Sequence, residues 1–221
     1  MESPARYLDH TLLAADACEA AIVDLCEEAV EHGFASVCVP PVFVRNAARL
    51  LYGSEVAVGT VIGFPLGYQA TSVKVYEVQD ALAAGAGELD MVIQLGAARV
   101  QDYAAVGQEI VSVVEAAGSA PLKVIIECAL FAADVKRRLT EIVAESGAAY
   151  VKTSTGFAAG GATAADVRLL AEAAAGRIGV KAAGGIRDWS TCRAMLDAGA
   201  NRIGTSAGVQ IMQQWQASLF S

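Results

Sequence analysis

The feature that most constrains this fold is a short strand-like run followed by a helix-like stretch, which recurs eight times along the chain. Each run is apolar and rich in β-branched residues, and each following stretch has apolar residues at helical spacing. The runs are RYLDHTLL (6–13), FASVCVP (34–40), EVAVGTVIGF (55–64), ELDMVIQLG (88–96), LKVIIECAL (122–130), AYVKTSTG (149–156), RIGVKAAGG (177–185) and NRIGTSAG (201–208). Because strands that alternate with helices run parallel and eight of them can close, we predict one α/β domain over residues 1–221, a (β/α)8 TIM barrel.

An open, doubly wound sheet is the structural alternative. Sheets of that kind commonly hold phosphate on a GxGxxG turn or a P-loop, and neither follows any of the strand-like runs. The closed barrel is therefore favoured.

Helix signals support this division of the chain. One predicted helix has an apolar stripe made of Ile22, Leu25, Cys26, Ala29 and Val30. Thr163 followed by Asp166 predicts a capped helix start. Glycines predict helix ends at Gly33, Gly118, Gly147, Gly176 and Gly199.

Composition excludes several classes of function. The net charge of −8 and the pI near 4.8 argue against nucleic acid as the main partner, although a local phosphate site is compatible with them. Glu2, Arg6 and Asp9 interrupt any apolar secretory core, so we expect a cytoplasmic protein. The longest uncharged stretch, residues 56–73, contains glycines and a proline and predicts no membrane span.

Cysteine and histidine usage argues against a metal site. The chain has five cysteines without CxxC spacing and only two histidines, His10 and His32. We therefore expect reduced, packed thiols, no catalytic metal and no cofactor.

Five charged residues stand out against their apolar strands. They are Asp9, Asp90, Glu127, Lys152 and Lys181. In a barrel, side chains at the C-terminal ends of strands face the active-site mouth. The two lysines fall on neighbouring strands and should lie within one or two strand spacings of each other, each spacing being about 4.8 Å. Burial and a neighbouring ammonium both disfavour protonation, so one lysine can be a neutral amine that forms a Schiff base with an aldehyde.

Aldol cleavage or condensation is the natural reaction of such a lysine. Asp90 is placed to take the proton from the hydroxyl whose carbon–carbon bond breaks, directly or through water. Gly184 and Gly185 follow strand 7, and Gly204 to Ser206 follow strand 8, where barrels commonly bind phosphate. The sequence therefore predicts a phosphorylated substrate.

Seven motifs carry a resemblance to a known family. LDHTLL, VIGFPLG, ELDMVI, KVIIE, VKTSTGF, KAAGGIRD and RIGTSAG occur in this order and resemble the motifs of the deoxyribose-phosphate aldolase family over nearly the whole chain. The resemblance implies a metal-independent class I aldolase that reversibly cleaves 2-deoxy-D-ribose 5-phosphate to glyceraldehyde 3-phosphate and acetaldehyde. It also implies a homodimer.

The same resemblance assigns roles to residues. It makes Lys152 the Schiff-base lysine, Lys181 the residue that perturbs it, and Asp90 the proton-transfer acid/base. It places Gly156, Gly184, Gly185, Gly204 and Ser206 in a phosphate pocket, and Asp9 and Thr11 along the site. The pattern departs from the family at Pro40, at Gln94, at Ala182 and in the C-terminal QASLFS, which lacks a tyrosine.

Other interpretations stay open at this stage. Lys152 could be a solvated rim residue, Asp90 could be half of a structural ion pair with Lys181, and Glu127 could be structural or catalytic. The chain could be a catalytically silent phosphosugar-binding barrel, although the intact set of two lysines and Asp90 speaks against it. It could also be a related aldolase for a longer ketose phosphate.

Overall fold

A computed structural model describes residues 3–220 of the chain. Two residues used above lie outside this part: Glu2, one of the N-terminal charges, and Ser221, the last residue of QASLFS.

Eight parallel strands close into a barrel in chain order, which confirms the predicted fold. The strands are β1 (Leu8–Thr11), β2 (Ser36–Val39), β3 (Ala57–Ile62), β4 (Glu88–Val92), β5 (Leu122–Ile125), β6 (Tyr150–Lys152), β7 (Gly179–Ala183) and β8 (Arg202–Thr205). The barrel closes through β1 and β8, where Asp9 is paired with Gly204. Each strand is shorter than its predicted run, because residues at one or both ends of every run belong to the adjoining turns, loops or helices.

Nine α-helices lie within residues 3–220 and connect or follow the strands. They are α1 (Glu19–His32), α2 (Val44–Leu50), α3 (Thr71–Ala84), α4 (Leu95–Arg99), α5 (Tyr103–Ala117), α6 (Ala133–Glu145), α7 (Ala164–Ala174), α8 (Trp189–Asp197) and α9 (Gly208–Ser218). Short 3-10 turns occupy Pro4–Tyr7, Pro41–Phe43 and Cys128–Leu130. None of the helices in the described part of the chain combines the length and apolar character needed to cross a bilayer.

The predicted helix ends agree with the structure to within a residue. Gly33 is the left-handed C-cap of α1 with φ +66°, and Gly118 caps α5. Gly147, Gly176 and Gly199 each fall one residue after the cap of their helix.

The apolar stripe predicted for α1 is confirmed except at one position. Ile22, Leu25, Cys26 and Ala29 are buried against the barrel, whereas Val30 is 50% exposed. Position 30 lies at the margin of the stripe, where the helix surface turns away from the sheet.

Apolar and charged residues alternate along several strands. In β1, Leu8 packs in the core between sheet and helices, and the next residue, Asp9, meets side chains from β7 and β8 inside the barrel. In β5, Leu122 joins the same core while Lys123 pairs with Asp90 of β4. The outer layer is therefore an ordinary apolar core, and the barrel interior is charged.

We predict that Thr163→Ala lowers the free energy of unfolding by about 1 kcal/mol, as loss of an N-cap commonly does. Thr163 Oγ1 accepts from the Asp166 N–H at 3.0 Å at the start of α7. Urea unfolding measures the change. Thr163→Ser keeps the hydroxyl and should stay near the parent, so equal losses in both variants would show that the methyl group, not the cap, matters.

Candidate active site

Seven charged side chains gather inside the barrel. They are Asp9 of β1, Glu88 and Asp90 of β4, Lys123 of β5, Lys152 of β6, Lys181 of β7 and Arg202 of β8. Charges taken out of water are tolerated only when they are paired and hydrogen-bonded. Each of these cations therefore needs a carboxylate partner, and the pairing determines the geometry of the site.

Three of the five charged residues predicted at strand ends lie lower in the barrel than expected. Lys152 is the last residue of β6, but Asp90 and Lys181 lie at the centres of β4 and β7, and Asp9 is the second residue of β1. The strand-end assignment is wrong for these three residues. Lys181 is the register partner of Lys152, as the neighbouring-strand prediction requires.

Asp90 joins three lysines. Its Oδ2 accepts from Lys152 Nζ at 2.7 Å and from Lys181 Nζ at 2.6 Å, and its Oδ1 accepts from Lys123 Nζ at 3.1 Å. Asp90 and the three lysines are all buried. Burial alone would raise the pKa of Asp90, but the three ammonium groups hold it well below its ordinary value. The ion pair between Asp90 and Lys181 is present, and the same Asp90 oxygen, Oδ2, also accepts from Lys152.

The two lysines on neighbouring strands differ in their proton affinity. Burial lowers the pKa of Lys152; Asp90 opposes this, and Lys181 adds to the lowering. Burial also acts to lower the pKa of Lys181, but Asp9 and Asp90 overcome it and raise that pKa above its ordinary value. Lys152 is thus the lysine poised to be a neutral amine. Both predicted causes act on Lys152, and burial contributes more than the neighbouring ammonium of Lys181.

Asp9 does not line the cleft at the C-terminal mouth of the barrel, contrary to the prediction. It is fully buried beneath it, where its Oδ2 lies 2.5 Å from Lys181 Nζ and its Oδ1 accepts from Arg202 Nε at 2.7 Å. The physical reason is that two cations are held at this depth and need a carboxylate partner.

A cleft of about 400 Å³ opens above Lys152 at the C-terminal end of the barrel. Its lining contains Lys152, Thr11, Gly156, Gly184, Gly185, Gly204 and Ser206 from the predicted set, together with Leu12, Leu13, Ala14, Thr155, Phe157, Ala183, Ile186, Arg187 and Thr205. The structure therefore brings the predicted lysine and the predicted phosphate-binding residues to one cavity.

The loop after β7 is held open toward this cleft. Gly184 and Gly185 have φ of +92° and +79°, a region that glycine adopts without strain. A Cβ at Gly185 would meet no protein atom within 4 Å, so the space beside it belongs to the cleft. Gly184 O accepts from Ala162 N at 3.0 Å, and Thr205 Oγ1 donates to Ile186 O at 2.6 Å. These bonds fix the loop between the ends of β6 and β8.

Glu127 supports the loop that follows Lys152. Its Oε2 accepts from Thr155 Oγ1 at 2.6 Å and from Thr155 N at 3.2 Å, and Thr155 Oγ1 in turn accepts from Phe157 N. Glu127 is 2% exposed and has φ +52°, an uncommon conformation for a residue with a side chain. These contacts favour a positioning role for Glu127 over direct catalysis.

Sequence reasoning missed three members of the charged cluster and one cation at the cleft. Lys123, Glu88 and Arg202 were not singled out, and neither was Arg187. A signal was present, because Glu88 stands two residues before Asp90 and so shares its face of β4. The other two are joined to the site only by strand register, which the structure gives: Lys123 is the register partner of Asp90, and Arg202 that of Lys181.

Three departures from the family pattern do not line the cleft. Among residues 3–220, neither Pro40 nor Gln94 nor Ala182 belongs to the lining. Ala182 is fully buried within β7 beside Ile203.

Comparison with known proteins gives matches that span nearly the whole chain. A sequence model described as DeoC/LacD family aldolase matches residues 5–214. The deoxyribose-phosphate aldolase of Syntrophotalea carbinolica is 57% identical over 216 residues, 98% of each chain. That of Coprothermobacter proteolyticus is 53% identical over 95% of each chain. Among solved structures, a tetrameric deoxyribose phosphate aldolase from Aeropyrum pernix superposes with a TM-score of 0.91 at 36% identity, covering 97% of this chain and 91% of that one.

We predict that Lys181→Leu raises the pKa of Lys152. The variant removes the ammonium that disfavours a second positive charge and frees Asp90 to attract Lys152 alone. Trace acetylation with acetic anhydride, read by peptide mass at Lys152 across pH, follows the neutral amine. Its midpoint should move to higher pH by about one to two units. Lys181→Arg keeps the charge and should keep the midpoint, and an unmoved midpoint in Lys181→Leu would remove Lys181 from this role.

Proposed function

The chain belongs to the DeoC/LacD family of aldolases, and on this premise we propose that it reversibly cleaves 2-deoxy-D-ribose 5-phosphate to D-glyceraldehyde 3-phosphate and acetaldehyde. One observation carries the proposal: a buried lysine with a lowered pKa, Lys152, reaches the floor of a cleft and shares Asp90 with a second lysine that stays charged. This is the arrangement of a class I, Schiff-base aldolase.

Cleavage begins with attack of the neutral Lys152 amine on the aldehyde carbon C1 of the open-chain sugar. Loss of water leaves an iminium whose positive nitrogen withdraws electrons from the neighbouring carbons. A base removes the proton from the C3 hydroxyl, the C2–C3 bond breaks, and glyceraldehyde 3-phosphate leaves. The remaining two-carbon enamine on Lys152 gains a proton on carbon, and hydrolysis of the resulting iminium releases acetaldehyde and the free amine.

Asp90 is the proposed acid/base, acting through water. Its carboxylate lies beneath Lys152 and is 1% exposed, and both of its oxygens already accept from ammonium groups. A water in the cleft is therefore the group that would meet the C3 hydroxyl, with Asp90 and Lys181 orienting it. Direct contact between Asp90 and substrate would require these ion pairs to open.

The phosphate is proposed to bind at the glycine-rich side of the cleft. Gly156, Gly184, Gly185, Gly204 and Ser206 line that side and offer close approach of backbone N–H groups. Arg187 lines the same cleft and supplies a cation. Thr11 lines the β1 end, where the non-phosphorylated part of the sugar would lie.

We also propose that the whole chain is one barrel domain that works in the cytoplasm as a homodimer, without a metal, a cofactor, a nucleic acid or a membrane partner. Tyr68 precedes α3 and Tyr76 lies within it, and their aromatic side chains, 72% and 68% exposed, are surface that assembly would cover.

A related aldolase for a longer ketose phosphate and a silent phosphosugar-binding barrel are the competing functions. Release of acetaldehyde from 2-deoxyribose 5-phosphate, assayed beside cleavage of dihydroxyacetone-type ketose phosphates, separates all three. Cleavage of the ketose phosphates alone would favour the related aldolase. Cleavage of neither substrate would favour the silent phosphosugar-binding barrel.

We predict that borohydride added with acetaldehyde inactivates the enzyme by reducing an imine on Lys152. Only a lysine of lowered pKa forms an imine readily at neutral pH. Peptide mapping locates the added ethyl group. Borohydride without acetaldehyde is the control, and label on Lys181 in place of Lys152 would overturn the assignment.

We predict that Gly185→Ala or Gly185→Val raises KM for 2-deoxyribose 5-phosphate far more than for unphosphorylated deoxyribose. The added Cβ enters the space that the phosphate would occupy. Gly176→Ala is the matched control, because Gly176 also has positive φ, +73°, and open space around its Cβ but lies before β7 at the other end of the barrel. Equal losses on both substrates would show that the Gly185 loop supports the fold only.

A further inference from the structure

Two charged residues of the barrel interior have no part in the chemistry described above. Glu88 of β4 and Arg202 of β8 form a two-point ion pair, with Arg202 Nη1 donating to Glu88 Oε1 at 3.1 Å and Nη2 to Oε2 at 2.8 Å. Arg202 Nη2 also donates to Ser36 Oγ at 3.1 Å. Their side chains are 11% and 12% exposed, so this pair is largely shielded from solvent.

These two residues complete a closed ring of alternating charges. Its members, in order, are Asp90, Lys181, Asp9, Arg202, Glu88 and Lys123, and Lys123 returns to Asp90. We call these six residues the charge ring. Three carboxylates alternate with three cations, so the ring is neutral as a whole.

Lys152 is attached to the charge ring as a seventh, unmatched group. Its Nζ contacts Asp90 Oδ2 at 2.7 Å, an oxygen that Lys181 already occupies. A proton on Lys152 therefore gives the cluster one positive charge that no carboxylate of the ring balances. In a site shielded from water, an unbalanced charge is costly, and loss of that proton removes it.

We propose that Glu88 and Arg202 are positioning residues for Schiff-base formation, which act through the charge ring to set the fraction of Lys152 that is a neutral amine. The inference rests on the proposed function of Lys152 and adds two residues that never touch the substrate. Lys181 is then one of three cations of the charge ring, and the total charge of the ring determines how readily Lys152 loses its proton.

Other titratable groups facing β6 are few among residues 3–220. Cys38 of β2 faces the interior, but burial raises the pKa of its thiol to about 11, so it is neutral. Glu127, after β5, is held by Thr155. β3 contributes no titratable residue. The variants below change only the charge ring.

The sign of each effect follows from the charge count. Glu88→Gln makes the ring positive, so Lys152 should lose its proton more readily and its titration should move to lower pH. Arg202→Met makes the ring negative and should move the titration to higher pH. Each shift should be about one pH unit, the effect of a unit charge roughly 10 Å away at an effective dielectric of about 20. The double variant is neutral again and should return toward the parent.

The test is the pH dependence of trace acetylation of Lys152 by acetic anhydride, read by peptide mass in the parent and in the three variants. This readout needs no substrate, so it fails independently of the aldolase assignment, which borohydride trapping decides. Glu55→Gln is the matched control. It removes the same charge from the exposed pair with Arg6, where the side chains are 82% and 66% exposed, and should leave the titration unchanged.

Opposite shifts in the two single variants, cancelling in the double variant, support the proposal. Coinciding titrations in all variants, with only stability or overall rate altered, would overturn it and leave Glu88 and Arg202 as structural residues. Should Arg202→Met fail to fold, Glu88→Gln decides alone. Its amide oxygen still accepts hydrogen bonds, and an unmoved or higher midpoint in that variant refutes the charge-ring effect.

Discussion

The sharing of one carboxylate, Asp90, by three lysines is the interaction on which the rest of this site depends. Buried ammonium groups are tolerated only with partners, and each partner needs partners of its own, so the charges extend as a network from strand to strand. A closed parallel barrel supplies such a network because alternate residues of every strand point to one enclosed axis. The apolar outer layer holds the strands in register, and register decides which charges meet.

Within that network two residues of the same type acquire opposite tasks. Lys181 lies between two carboxylates and keeps its proton, whereas Lys152 has one shared carboxylate, apolar burial and an opening to the cleft. The structure separates the proton affinities of neighbouring groups by their surroundings, a general way in which enzymes obtain an acid and a nucleophile from similar side chains. The placement of Asp9 and Asp90 therefore determines which of the two lysines keeps its proton.

The sequence predicted the fold well because the signal was long and repeated. Eight strand–helix units, a capped α7 and glycine-ended helices all recur in the structure. The lysine pair was also predictable, since the two stand out in apolar runs. The depth of each side chain along the barrel axis was not predictable, because the sequence of a strand does not give its register with the neighbouring strands. Asp9 was therefore placed in the cleft when it lies beneath, and Glu88, Lys123 and Arg202 went unnoticed until register joined them to Asp90 and Lys181.

The sharing of Asp90 also reconciles two demands that the reaction makes on one nitrogen. Lys152 must be neutral to attack the aldehyde, yet the iminium that follows carries a positive charge on that same nitrogen. A dedicated carboxylate would stabilise the iminium but would equally hold a proton on the resting amine, and no carboxylate at all would favour the amine but oppose the iminium. Asp90 is already partly neutralised by Lys123 and Lys181, so burial prevails over it at rest. It nevertheless remains in contact with Lys152 Nζ when the positive charge develops, which is what a site that must both lose and regain charge on one atom requires.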